Sequence, residues 1–107
     1  MHFQCLDVAL ELVRSLRAPI ERIQSHDRSL ADQLRRAASS IPLNLAEGRR
    51  RNGKDRRHLW RVAAGSADET RSCLLVADAW GYVDAKDLSE SLELADRVVA
   101  MCWRLTR

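Results

Sequence analysis

Apolar side chains recur along this chain at steps of three and four, the spacing that keeps one stripe of an α-helix turned toward a core. The first such run is Leu6, Ala9, Val13, Leu16, Ile20 and Ile23. Pro19 lies inside it, yet the register continues through Ile20 and Ile23, which predicts one kinked helix more than two separate elements. A second run, Leu34, Ala38, Ile41 and Leu45, follows the stretch SHDRSLADQL. There Ser25 or Asp27 is placed to accept from the unbonded N–H groups of a first helical turn. RNGKD, residues 51 to 55, has the chemistry of a turn. A third helix is predicted from about Asp55 to Trp80, with Leu59, Val62, Ser66, Glu69, Cys73, Val76 and Trp80 on its buried seam and Gly81 as a left-handed terminator. Asp84 or Asp87 opens a fourth helix, whose seam is Leu88, Leu92, Ala95, Val99 and Cys102 and which ends near Leu105. No alternating apolar run between turns predicts a strand. The expected fold is all-α, an antiparallel up-and-down four-helix bundle, with residues 1–107 as a single domain.

Composition agrees with that expectation: 46% of residues are hydrophobic and 31% charged, with only 4 Gly and 2 Pro. The opening MHFQCLDVALELVRSLR carries Asp7, Glu11 and Arg14 where a signal peptide needs an apolar core. No uncharged apolar stretch is long enough to cross a membrane, so the expected location is the cytoplasm with no membrane partner. Cys5, Cys73 and Cys102 are widely spaced with no CxxC pair, and read as buried free thiols.

Candidate chemistry is sparse. His2, His26 and His58 fall at a terminus, a loop and a charged helix start, and no Glu-x-x-His spacing indicates a bundle metal site. No Ser, Cys or Lys sits in a nucleophile motif. The expectation is therefore no catalytic residue, no metal and no cofactor. Glu69 on a buried seam would require a polar or cationic partner, and Asn44 and Arg35 are the candidates for a buried link between the second and third helices. Gly65, inside the third helix, costs about 1 kcal/mol relative to Ala, which points to a close approach by a helix, a subunit or a ligand. Pro42 removes a hydrogen bond from the second helix, while Ser39, Ser40 and Asn44 flank the gap.

Charge is distributed unevenly. Residues 1 to 48 hold six basic and six acidic side chains, residues 49 to 61 seven and one, and residues 62 to 107 five and eight, giving 0, +6 and −3. The basic segment is Arg49, Arg50, Arg51, Lys54, Arg56, Arg57 and Arg61, joined in this reading by Arg35 and Arg36 into one positive corner. Its Arg-rich makeup suits phosphate, so RNA or DNA backbone is one expected ligand, bound without sequence readout because Trp60 is the only interleaved aromatic. A solvated charged face, or salt bridges to a neighbouring subunit or protein, is the other reading.

The chain also resembles a known family. QLRRA at 33 to 37, SIPLNLAEG at 40 to 48, the basic turn, GSADE at 65 to 69 and Gly81-Tyr82 are similar to the pattern of bacterial four-helix bundle proteins encoded in intervening sequences of 23S ribosomal RNA. Accessory variability proteins of diversity-generating retroelements belong to the same group. Leu45 stands where Ile is usual, and the link from Pro19 to Gln33 is longer than typical. The resemblance marks Pro42, Asn44, Glu47, Gly48, Gly65 and Glu69 as structural motif positions. It implies a homo-oligomer, pentameric in known members, with a basic surface that in the retroelement relatives binds nucleic acid and a reverse transcriptase, and it implies no catalysis.

Overall fold

A computed structural model describes residues 3–107. It contains five helices: α1 (Gln4–Ser15), α2 (Arg17–His26), α3 (Arg28–Arg49), α4 (Gly53–Trp80) and α5 (Ala85–Leu105), and no strand among the described residues.

The expected single first helix is two. The break falls at Leu16, whose N–H turns back to Val13 O while the Ser15 hydroxyl donates to Leu12 O at 2.7 Å. Pro19 therefore occupies the first turn of α2, where its missing N–H costs no helical bond. Its ring is buried, so the interruption also serves packing.

Other boundaries follow local chemistry. Asp27, not Ser25, caps α3, its Oδ1 accepting from Leu30 N–H at 3.0 Å, whereas Ser25 donates to Arg22 O within α2. Gly53 and Gly81 both have positive φ, 54° and 77°, at the two turns bounding α4. At Gly81, the Gly81 and Tyr82 N–H groups reach Asp78 O and Ala77 O, closing the end of α4 with the paired bonds of a left-handed terminator. Asp84 precedes α5 without a side-chain cap bond, and Asp87 lies in its first turn.

Contacts between helices pair residues whose numbers sum to nearly constant values, as oppositely directed neighbours must. Gln33 meets Glu69, Ser40 meets Ser66, and Trp60 reaches Leu45 O between α3 and α4. Cys5 meets Cys102 and Ser15 meets Ser91 between α1 and α5. The core along these seams includes Leu12, Leu16, Ile23, Leu34, Ile41, Leu45, Leu74, Leu88 and Val98, all fully buried. No buried side-chain N or O among the described residues lacks a hydrogen-bond partner.

The seam of α4 differs from expectation. Its buried positions are Ala63, Ala64, Ala67, Thr70, Cys73, Leu74 and Ala77, while Val62, Val76 and Trp80 lie outside at 37, 42 and 69% exposure. The buried face of α4 is thus made largely of small residues, α3 also buries Ala31, Ala37 and Ala38, and these two helices share the most extensive packing in the molecule. Close approach of two alanine-rich faces explains the choice: bulk on this side would hold the helices apart.

Candidate nucleic-acid interface

The basic segment forms at one end of the molecule, where α3 stops and α4 begins. Gly48 makes the corner possible. The Trp60 indole lies against it so tightly that a Cβ at residue 48 would meet Trp60 Cδ1 and Nε1 at 2.6 Å. Trp60 Nε1 donates to Leu45 O at 3.2 Å, its ring is tilted against Phe3 at 5.7 Å between centroids, and the Arg56 guanidinium stands over it at 5.3 Å. Trp60 thus serves as a packing wedge.

Seven cations were expected to act together, and the structure divides them. Arg56 is half-buried and donates to Gly48 O at 3.1 Å, which also accepts from the Arg51 N–H, and to Arg49 O at 3.0 Å, tying the start of α4 to the last turn of α3. Arg51 pairs with Glu47 at 2.8 Å, which holds its guanidinium even more firmly protonated than usual, through the hydrogen bond first and the charge second. Arg49 lies over the Phe3 ring at 5.3 Å. Arg50, Lys54, Arg57 and Arg61 are exposed and make no ion pair among the described residues. Lys54, Arg57 and Arg61, spaced three and four apart, share one face of α4, with Arg50 beside them in the turn.

Arg35 and Arg36 do not join this corner. Arg35 is 14 positions before Arg49 on the same helix, about 21 Å away at 1.5 Å per residue. Its partners are Asp32 at 3.2 Å and Gln24 at 3.5 Å.

The motif positions have separate tasks. The helix runs through Pro42 without interruption, and Asn44 donates to Ser40 O at 2.8 Å and to Ser40 Oγ at 3.0 Å. Ser66 completes the cluster by donating to Ser40 Oγ at 2.8 Å, so the polar link between α3 and α4 is built from two serines and an asparagine. Glu69 takes no part in it. This residue is exposed and accepts from Gln33 Nε2 at 3.4 Å, because the true α4 seam is rotated away from it. Gly65 is also exposed, and a Cβ there would meet nothing within 4 Å among the described residues, so no helix of this chain explains the glycine.

All three thiols are buried and unbridged. Sequence reading missed that Cys5 Sγ and Cys102 Sγ lie 3.7 Å apart, a contact across 97 positions that no local pattern announces. Among the described residues no group of His, Cys, Asp and Glu is arranged to hold a metal ion, and His2 lies outside the described residues. No helix among them is long and apolar enough to cross a membrane.

These features define a small all-helical protein with a dense cluster of basic side chains where α3 ends and α4 begins. The chain belongs to the family of 23S rRNA-intervening sequence proteins, which it matches over residues 2–104. Its fold is similar to that of a solved protein of unknown function from the S23 ribosomal protein family of Bacteroides thetaiotaomicron, with a TM-score of 0.86 and 15% identity over 96% of this chain and 98% of that one. Among curated proteins none matches.

Proposed function

We propose that the protein is a non-enzymatic, homo-oligomeric four-helix bundle of the cytoplasm, with α1 and α2 acting as one bent arm, that holds the sugar-phosphate backbone of RNA or DNA at its basic corner. The observation that carries this reading is the division of labour among the cations. Arg51 and Arg56 serve the fold, whereas Arg50, Lys54, Arg57 and Arg61 are exposed and make no ion pair among the described residues. Four unpaired cations on adjoining surface repel one another unless an anion is present. Phosphate contacts of this kind give affinity without sequence readout.

Self-association is supported by the outer face of α4. Val62, Val76 and Trp80 are exposed there, and Gly65 leaves room on the same side for a second helix to come close. Five copies, the number the family resemblance implies, would repeat the corner and turn weak phosphate contacts into avid ones. The test is binding of a generic single-stranded RNA to wild type and to a variant with Arg50, Lys54, Arg57 and Arg61 all changed to Ala. Salt-sensitive binding lost in the variant supports the reading; equal binding by both proteins overturns it.

A second reading uses the same cations in salt bridges to a neighbouring subunit or protein. The −3 balance of residues 62 to 107 favours it, with exposed Glu90 and Glu93 on α5 as the acceptors in another copy. Light scattering of the same variant separates the two: dissociation of the oligomer favours salt bridges, and an intact oligomer that no longer holds RNA favours the interface.

A further inference from the structure

Two of the three cysteines meet at the end of the molecule that carries Phe3. Cys5 is the second residue of α1 and Cys102 lies three residues before the end of α5, their sulfurs 3.7 Å apart in hydrogen-bond contact. Both thiols are buried, Cys5 at 3% exposure and Cys102 at 0%, and they differ in what borders them. Cys5 lines a pocket of about 240 Å³ with Phe3, Gln4, Met101, Arg104 and Leu105, while Cys102 is absent from that lining and is fully buried. Cys5 also sits in the first turn of α1, where unbonded N–H groups favour a thiolate, and Arg104 adds a cation to the pocket rim. Asp7, two residues on in the same first turn, offsets part of that field. The hydrogen bond from Cys102 lowers the Cys5 thiol below its ordinary value against the opposing effect of burial. Cys102 is pushed the other way, by its bond to Cys5 first, then burial and the Cys5 and Asp68 charges. Such an asymmetric pair has one thiol that attacks and a second beside it that resolves.

We propose that Cys5 and Cys102 form a modification site for small aliphatic disulfides, with Cys5 as the attacking thiol and Cys102 as the resolving one. The Cys5 thiolate, its proton released to water, attacks one sulfur of the reagent, breaks its S–S bond and expels one thiolate. Cys102 then attacks the Cys5 sulfur, gives up its proton and displaces the second thiolate, leaving a Cys5–Cys102 bond. The protein loses two electrons and two protons, and the reagent becomes two thiols. The bond ties α5 to the end of α1 that bears Phe3, against which Trp60 and Arg49 rest, so closure reaches the floor of the basic corner.

The probe is glutathione disulfide with native protein, followed by intact mass and by non-reducing peptide mapping. Wild type should lose two hydrogens and map to a Cys5–Cys102 link. The Cys102→Ser protein should stop with one glutathione on Cys5. Cys73, whose thiol is raised by burial and by the nearby Glu69 charge, should react more slowly than Cys5. Wild type that accumulates glutathione on Cys5 without closing, closes only in denaturant, or is modified equally fast at Cys73 would overturn the proposal. The wild-type map decides the matter even where a variant folds poorly.

Discussion

Changing Gly48 to Ala sets two physical effects against each other. Intrinsic helix propensity alone predicts stabilisation of about 1 kcal/mol, because Ala loses less backbone freedom than Gly. Contact predicts the opposite. The new methyl would sit 2.6 Å from two atoms of the Trp60 ring, and Leu59 Cβ is 3.4 Å away on the same side. That ring cannot swing aside freely, being held by Leu45 O, Phe3 and Arg56. Overpacking costs about 1–3 kcal/mol, loss of the indole hydrogen bond about 1, and disturbed ring contacts about 0.5–1.5. After the propensity gain, the expected net destabilisation is about 1.5–4.5 kcal/mol, a fall of about 6 °C or more in melting temperature for a domain of this size. Gly65→Ala is the control: its Cβ meets nothing within 4 Å, so in the separated protomer it should stabilise by about 1 kcal/mol. Urea unfolding at low protein concentration compares the two. If Gly48→Ala is as stabilising as Gly65→Ala, the account of Trp60 as a wedge against Gly48 is wrong.

Three further outcomes are expected. Asp27→Ala removes the cap bond to Leu30 N–H and should cost about 1 kcal/mol in chemical unfolding, with no measurable change refuting the cap. Pro42→Ala restores an N–H in the interior of α3 and should raise stability by up to about 3 kcal/mol, whereas a drop would mean that the ring packs better than a continuous hydrogen-bond ladder. Tyr82 is the only tyrosine, and partial burial first, then the Asp27 charge and hydrogen bond, raise its phenol above 10.0. Because the folded protein favours the protonated phenol, this contribution is intact below pH 10 and fades as pH rises through the folded value; ultraviolet titration of Tyr82 below 10 would contradict it.

Features set by short-range chemistry were legible in the sequence. Asn52-Gly53 and Gly81 announce turns that need positive φ, and Leu34, Ala38, Ile41 and Leu45 form the buried stripe they predict. The α4 seam was misread because that helix carries apolar residues on two faces. Bulk pointed to Val62, Val76 and Trp80, but the face packed on α3 is the one with alanines, and the error carried Glu69 into a core it does not enter. Charge count located the basic corner, yet gave no sign that Arg56 folds back onto Gly48 O and Arg49 O, since that bond exists only once the turn has closed. Arg35 and Arg36 looked like neighbours of the corner because linear order hides the length of α3. The Cys5–Cys102 contact needed the tertiary structure outright.

The central claim is that Arg50, Lys54, Arg57 and Arg61 hold phosphate, and the salt dependence of RNA binding tests it most directly. Each phosphate neutralised on a single strand contributes about 0.7 to the slope of log affinity against log salt, so four cations predict a slope near −3 per protomer engaged. Affinity should then fall about fifty-fold as salt rises from 50 to 200 mM. The quadruple Ala protein, melting as wild type does, should lose this binding. A flat salt response, or a quadruple variant that binds with the wild-type slope, would contradict the account.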